Sequence, residues 1–273
     1  MKTIILSFVF ASMTLVNSDG DAVDELDRKD FKLSYLDEAF INDAKLEVEM
    51  DVLEEKVRKD PTNAKLNDAG EIIPEKPGQR LDRYKFRQLF QEYFYTGKKL
   101  TTELPVEKVY PRVDSELIAE IREQKIGDYV TYFKPSNKER SHNIDLAAEA
   151  INNHVVFPGE SFSFNNVVGK RTEKKGYKRA PVIVKGELSE DIGGGICQVS
   201  STLYNAVDLE GIQITERYSH SRRVPYVPPG RDATVSWYGP DFEFKNNYKR
   251  PLLIRAFAKD GKMHVSIYSS DAL

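Results

Sequence analysis

The chain has 273 residues, of which 40 are Lys or Arg and 43 are Asp or Glu, and its net charge is −3. This balance gives no general attraction to nucleic acid, so DNA and RNA are not expected partners. The chain is long enough for one large or two small domains, and its single cysteine excludes an internal disulfide framework.

The N-terminus has the composition of an export signal. Lys2 is followed by an uncharged apolar run over residues 4–16, which is too short to cross a bilayer but suits a signal peptide. Val16 and Ser18 are small enough to precede a cleavage site. We therefore expect residues 1–18 to be a signal peptide and the protein to reach the cell envelope or the outside. The alternatives are a buried N-terminal helix and an uncleaved anchor.

The next part of the chain, residues 19–113, is predicted to be a small α+β unit. Apolar residues at helical spacing predict one helix over 46–57 and a second that begins near Asp82, a plausible N-cap. Short strands are predicted at 72–73 and over 100–106, where apolar and polar residues alternate.

The pattern of apolar and polar residues changes after residue 113, and residues 114–273 are predicted to form a second domain. Asp114 caps a short helix, and residues 143–153 form another. Most of the sequence after residue 153 consists of short alternating runs, including one at 233–239, and Lys-Asp-Gly at 259–261 predicts a hairpin. The fold class expected for the chain is therefore α+β, with a mainly antiparallel sheet and helices packed on it.

The only cysteine, Cys197, stands at the start of a predicted helix, directly after Gly193, Gly194 and Gly195 and one isoleucine. The first turn of a helix stabilises an anion and lowers the pKa of a thiol. Glycines also let a substrate carbonyl approach backbone N–H groups closely, as an oxyanion hole requires. The alternative is that the cysteine is a small buried side chain and the run is only a turn, in which case at most one glycine would need a positive φ.

A thiol nucleophile needs a base, and the chain has four histidines: His142, His154, His220 and His264. His220 follows the strand that comes after the cysteine helix, and this order brings it back toward Cys197. The other three have plainer structural explanations. No two histidines have the spacing of metal ligands, so neither a metal site nor a cofactor is predicted.

Further candidates surround these two residues. Arg231 and Asp232 are candidates to orient the imidazole or to bind a carboxylate, and Ser200 on the cysteine helix is a third substrate-binding candidate. Residues 170–179 hold six bases against one acid. This basic run is either a solvated loop or a contact for anionic wall polymer.

Several motifs resemble the VanW family, among them "FPGESFSFNNVVG", "DIGGGICQVSSTLYNAV" and "ERYSHSRRVPYVPPGRDATV". The likeness covers about residues 142–256, and the preceding "IIPEKPGQRLDRYKFRQLF" resembles the end of a peptidoglycan-binding domain that often precedes VanW domains. Some VanW-domain proteins are L,D-transpeptidases that cross-link peptidoglycan through a cysteine acyl-enzyme. The resemblance implies that Cys197 is the matching nucleophile.

The function predicted is that of an exported, cysteine-dependent L,D-transpeptidase acting on peptidoglycan stem peptides. His220 would be the base, and backbone N–H groups around Gly195 to Cys197 would hold the oxyanion. With water as the acceptor, the same residues would give a carboxypeptidase. The rivals are a non-catalytic module that binds peptidoglycan or another envelope component, and a structural partner in a surface complex.

Overall fold

The computed structural model describes residues 12–33, 40–184 and 187–270. Within them the chain forms two compact units, divided near residue 112. The first contains the described residues up to Asn63 together with Pro74–Arg112, and the second contains Ala64–Ile73 and Val113 onward. Residues 64–73, predicted as part of the N-terminal unit, lie in the second unit.

The strands are, in chain order, β1 (Ser12–Val16), β2 (Ala22–Asp27), β3 (Lys65–Leu66), β4 (Ile72–Ile73), β5 (Gly78–Leu81), β6 (Leu100–Glu103), β7 (Val106–Val109), β8 (Gln124–Tyr132), β9 (His154–Val156), β10 (Ser161–Ser163), β11 (Arg179–Val184), β12 (Glu187–Ile192), β13 (Ile212–Glu216), β14 (Glu243–Asn246), β15 (Leu252–Lys259) and β16 (Lys262–Ser269). The α-helices are α1 (Asp43–Val57), α2 (Arg83–Thr96), α3 (Ser115–Ile121), α4 (Lys138–Ile151), α5 (Phe164–Val168) and α6 (Ile196–Val207).

The first unit is built on a three-stranded sheet in the order β2-β1-β6. The central strand β1 pairs antiparallel with β2 and parallel with β6, and its Met13 and Leu15 are 0% exposed. Residues 1–11, the start of the predicted signal peptide, lie outside the described residues. Residues 12–16, which the same prediction included, form this strand, so a cut after Ser18 would remove it.

Helices α1 and α2 supply seven of the core residues of the first unit. Asn42 and Asp82 cap them by accepting hydrogen bonds from backbone N–H groups in the first turn, which confirms Asp82 as an N-cap. The core of this unit consists of Met13, Leu15, Leu26, Phe31, Leu46, Met50, Leu53, Leu81, Phe86, Phe90, Tyr93, Phe94 and Leu104.

The second unit is larger and contains the only cysteine. Its main sheet is antiparallel in the order β8-β16-β15-β9, and a second antiparallel sheet has the order β10-β14-β13. Helix α4 packs on β15, whereas α6 packs on β8 and β16, and the two helices contact each other. The buried face of α6 therefore anchors the segment that precedes it against the main sheet.

The predicted fold class is confirmed at the level of a mixed α+β fold with antiparallel sheets and, in the described residues, six α-helices. The hairpin at 259–261 is also confirmed, with positive φ at Asp260 and Gly261. None of the helices among the described residues is long and apolar enough to cross a membrane.

Two predicted strands differ from the structure, and one strand of the structure was not predicted. The strand predicted over 100–106 is two strands, β6 and β7, because Pro105 interrupts the pairing. Residues 233–239 are not a strand: only Thr234 forms an isolated bridge, with Tyr218. The acidic strand β12 was not predicted, because it has few apolar positions. It pairs with β11 and ends directly before the glycine run.

Candidate active site

The glycine run joins strand β12 to helix α6. Gly195 is the N-cap of α6 with a φ of +108°, and Cys197 is the second residue of the helix. Gly195 has no side chain with which to cap the helix. The thiol therefore lies in the first turn of a 12-residue helix, where the helix dipole favours an anion.

All three glycines are required by the backbone and its packing. Gly193 and Gly195 have φ values of +88° and +108°, which side chains other than glycine rarely adopt. Gly194 has no positive φ, but a Cβ there would lie 2.6 Å from the carbonyl oxygen of Ala180 on β11. A simple turn was expected to need a positive φ at no more than one of the three glycines. That expectation is wrong, because two of them have a positive φ.

The thiol of Cys197 is half-buried among three neighbours. Its Sγ atom lies 3.7 Å from Oγ1 of Thr234 and 3.5 Å from the carbonyl oxygen of Val235. Its thiol also lies close enough to His220 for each of the two groups to shift the pKa of the other. The structure thus brings together the cysteine and the histidine that the chain order predicted.

His220 is held in turn by Asp232. Its Nδ1 atom lies 2.6 Å from Oδ2 of Asp232, and its backbone N–H donates to the same oxygen over 2.6 Å. Both side chains are less than a tenth exposed, at 7% and 9%. Because Nδ1 faces the carboxylate, Nε2 is the ring nitrogen left for the thiol. Cys197, His220 and Asp232 therefore stand in the order thiol, imidazole and carboxylate that a nucleophile, its base and an orienting group would need.

The three pKa shifts favour an ion pair. Burial raises the pKa of the Cys197 thiol, but the hydrogen bond with His220 and its charge outweigh burial, and the net change is a decrease. Burial lowers the pKa of His220, whereas Cys197 and Asp232 raise it, with a net increase. The carboxylate of Asp232 is held below its usual pKa by hydrogen bonds from His220, against the opposing effect of burial. A thiolate beside an imidazolium is the reactive form of such a pair.

The loop that carries Asp232 is fixed to α6 by two serines. Ser200 donates to the carbonyl oxygen of Ala233 over 2.6 Å, and the hydroxyl of Ser201 accepts from the N–H of Ala233 over 2.9 Å. Ser201 also donates to the carbonyl oxygen of Cys197. Ser200 is 0% exposed, so the structure gives this predicted substrate-binding residue a supporting position beneath the thiol.

Backbone donors for an oxyanion were predicted from Gly195 to Cys197. The N–H of Ile196 donates to the carbonyl oxygen of Gly193 over 3.2 Å and is therefore engaged. In the described residues, the N–H groups of Gly195 and Cys197 donate to no protein acceptor. These two remain the candidate donors.

Arg231 does not join the group, although it precedes Asp232. Its guanidinium donates to Asp208 over 2.5 Å and to Asn205 over 2.7 Å, and it stacks on the ring of Tyr204. These contacts hold it toward the C-terminal part of α6. Arg231 therefore links the loop that carries Asp232 to the end of α6, and its side chain is directed away from Cys197.

The other three histidines are engaged elsewhere. Nε2 of His142 lies 2.9 Å from the carbonyl oxygen of Gly176, His154 packs edge-on against Phe162, and His264 lies 3.2 Å from Asp128. None of these contacts is with Cys197. His142 lies inside α4, whose N-cap is Asn137, and so does not begin a helix as expected. In the described part of the chain, no three His, Cys, Asp or Glu side chains are grouped as metal ligands.

Sequence reasoning missed three residues whose charges interact with Cys197: Arg140, Arg171 and Tyr226. Burial raises the pKa of the Tyr226 phenol, and the charge of Cys197 raises it further. Arg171 belongs to the basic run at 170–179, but its side chain is half-buried and donates to Asn165 over 2.7 Å. No spacing rule links these residues to Cys197, because separate elements carry them.

Comparison with known proteins matches the part of the chain that holds this site. The family model described as "VanW like protein" matches residues 139–268. "Uncharacterized protein YoaR" of Bacillus subtilis (strain 168) is 54% identical over 258 residues, which are 94% of this chain and 85% of the relative. "Vancomycin B-type resistance protein VanW" of Enterococcus faecalis (strain ATCC 700802 / V583) is 31% identical over 110 residues, or 38% of this chain and 40% of the relative. No solved structure matches the chain.

Proposed function

The chain belongs to the VanW family, and from this membership and its thiol site we propose that it is a cysteine-dependent acyltransferase of the cell envelope. The observation that carries the proposal is the arrangement of Cys197, His220 and Asp232, with a thiol of lowered pKa and an imidazole of raised pKa. A cell-wall role fits the family, since one relative is named as a vancomycin-resistance protein. The reaction proposed is L,D-transpeptidation of peptidoglycan stem peptides.

The first half-reaction forms the acyl-enzyme. The Cys197 thiolate attacks the carbonyl carbon between the third and fourth residues of the donor stem, and the oxyanion is held by the N–H groups of Gly195 and Cys197. As the C–N bond breaks, the His220 imidazolium gives its proton to the leaving amine of the fourth residue. A thioester and a neutral imidazole remain, with Asp232 holding the ring in place.

The second half-reaction resolves the thioester. An amine of a neighbouring stem attacks the thioester carbonyl, and neutral His220 takes its proton as the new C–N bond forms and the C–S bond breaks. The thiolate and the imidazolium are thereby restored. Water in place of the amine would make the same site a carboxypeptidase.

Intact-mass spectrometry tests the proposal most directly. After incubation with muropeptides that carry tetrapeptide stems, the protein is expected to gain the mass of the acyl donor less its fourth residue, and Cys197→Ala is expected to gain nothing. Adding an amine acceptor should discharge the adduct into a cross-linked product. A protein that binds the muropeptide but never forms the adduct would instead be the non-catalytic envelope-binding module.

The rate at which Cys197 is alkylated distinguishes a catalytic thiol from a structural one without any substrate. A poised thiolate reacts with iodoacetamide near neutral pH in the folded protein, whereas a structural thiol reacts only after unfolding. We expect the first behaviour, and His220→Gln should slow the reaction. Reaction confined to denatured protein would contradict the catalytic proposal.

A further inference from the structure

Two arginine side chains pack directly on the glycine run beside Cys197. A Cβ at Gly195 would lie 3.0 Å from Cγ of Arg140, and one at Gly193 would lie 3.2 Å from Cβ and Cγ of Arg171. The aliphatic parts of both side chains therefore occupy space that any larger residue would fill. The missing side chains of the glycines thus leave room for one arginine at each end of the three-glycine run.

Both arginines donate hydrogen bonds to amide oxygens of the protein. Arg140 donates to the amide oxygen of Gln198 over 2.8 Å, and Arg171 donates to that of Asn165 over 2.7 Å. Arg171 also makes a long contact of 3.4 Å with the carbonyl oxygen of Gly169. Among the described residues, neither guanidinium forms an ion pair with a carboxylate, although both side chains are half-buried.

One carboxylate, Asp241, acts on Arg171 only through its charge, because its hydrogen bonds are made with other groups. Asp241 interacts electrostatically with Arg171, but its oxygens accept hydrogen bonds from Ser163 over 2.5 Å, from the N–H of Asn165 over 2.9 Å and from the N–H of Phe242 over 2.7 Å. Burial lowers the pKa of both guanidinium groups, yet arginine stays charged in proteins. Two half-buried cations without a carboxylate partner are costly in the free protein, which points to an anionic ligand.

The arginines also act on the thiol. The charge of Cys197 interacts with both Arg140 and Arg171, so an anion bound at either guanidinium lies within electrostatic range of the reacting sulfur. Planar guanidinium groups match carboxylates in shape and hydrogen-bonding pattern.

We propose that Arg140 and Arg171 bind a carboxylate of the acyl donor next to the scissile bond and so determine which peptides react with Cys197. This inference rests on the proposed acyl-transfer function and names its donor as a peptide with a free carboxylate. That group is either the C-terminal carboxylate of the fourth residue or a side-chain carboxylate of the third. With the carboxylate held by the arginines, the preceding carbonyl is positioned for the thiolate.

Alkylation by two matched reagents tests the inference without any peptide substrate. Iodoacetate and iodoacetamide react alike, since the thiolate attacks the methylene carbon and iodide leaves, but only iodoacetate carries a carboxylate. We expect Arg140→Gln and Arg171→Gln each to lower the ratio of the iodoacetate rate to the iodoacetamide rate by about 10-fold, or about 1.4 kcal/mol. Arg171→Lys keeps the charge and should recover part of the ratio.

The control is Arg250→Gln, which removes the same charge from an exposed arginine of the second unit that pairs with Glu120. Its ratio should equal that of the wild type. An unchanged ratio in both site variants overturns the inference, whereas an equal fall in Arg250→Gln assigns the effect to net charge and overturns it as well. The iodoacetamide rate and the melting temperature of each variant show whether the thiol and the fold are intact.

Peptide donors then identify the carboxylate and separate this inference from the proposed function. A tetrapeptide stem with a C-terminal amide should react poorly if the fourth residue is bound, and a stem amidated on its third side chain should react poorly if that residue is bound. Equal turnover of both with the unmodified stem contradicts the inference while the acyltransferase proposal stands. A shifted alkylation ratio without any acyl adduct supports the carboxylate site while the acyltransferase proposal fails.

Discussion

One oxygen of Asp232 receives two hydrogen bonds from His220, one from its backbone N–H and one from its ring Nδ1, each 2.6 Å long. The carboxylate thus fixes both the main chain and the ring of the same residue. The bridge between Tyr218 and Thr234 holds the two segments side by side. The imidazole consequently has one ring nitrogen committed to Asp232 and the other left for Cys197.

Asp232→Asn is expected to raise the pH at which Cys197 alkylates and to slow acyl transfer by roughly 10²–10⁴-fold. Loss of the carboxylate removes a charge that raises the pKa of His220, and a less basic imidazole stabilises the thiolate less. The measurement is the iodoacetamide rate as a function of pH. Asp128→Asn is the matched control, because Asp128 also faces a histidine, His264. Equal profiles for the wild type and Asp232→Asn would refute the orienting role.

The stabilisation of the second unit by Asp232 is expected to depend on pH in two directions. The lowered pKa of Asp232 means that its contribution is present above its ordinary value of 3.8 and is lost as the pH falls through the lowered pKa. The raised pKa of His220 means that its contribution is present below 6.5 and is lost as the pH rises through the raised pKa. The difference in unfolding free energy between the wild type and Asp232→Asn should therefore be largest between these two pH values. Denaturant titrations across the pH range measure it, and a difference that keeps growing above neutral pH would contradict the assignment.

Alanine at any of the three glycines is expected to destabilise the second unit. Gly193→Ala and Gly195→Ala force a Cβ into a strained backbone region, at a cost of about 1–3 kcal/mol each. Gly194→Ala pushes β11 away, because its Cβ would lie 2.6 Å from the oxygen of Ala180. Melting temperatures check this, with Gly239→Ala as the control, since its Cβ would meet only ordinary contacts at 3.5 Å or more. Wild-type melting of all three variants would mean that the turn is not the one described.

The N-terminal strand is expected to be necessary for the first unit. Deleting residues 1–18 removes β1 from the centre of its sheet and exposes the apolar surface that Met13 and Leu15 cover. A single Met13→Ala change should cost about 2–5 kcal/mol, whereas Thr14→Ala, whose side chain is only half-buried, should cost less. Limited proteolysis of the truncated and the full chain measures the effect. N-terminal sequencing of the protein purified from its cells or their medium should find a start before Ser12, and a folded form that begins at Asp19 would contradict this prediction.

Much of the local structure could be predicted from the sequence because short-range rules govern it. The helix caps at Asp82 and Asp114 and the hairpin at 259–261 each depend on side chains a few positions apart. The strand predicted at 233–239 failed for the complementary reason. Its alternating pattern is real, but the main chain of Ala233 accepts a hydrogen bond from Ser200 and donates one to Ser201, so it is held by α6 in place of a neighbouring strand.

The sequence by itself determined the pair at the centre of the site. A lone cysteine after a glycine run, followed by a helix and a strand that leads to a histidine, is enough to place Cys197 and His220 together, because a helix and the strand after it run in opposite directions. The tertiary structure decided which neighbours complete the site. It placed Asp232 on the imidazole and turned the adjacent Arg231 away to Asp208. It also brought Arg140 and Arg171 onto the glycines from two separate segments. Such contacts depend on how α4, α6 and the loop before β11 pack, and packing between distant segments leaves no periodic signal in the sequence.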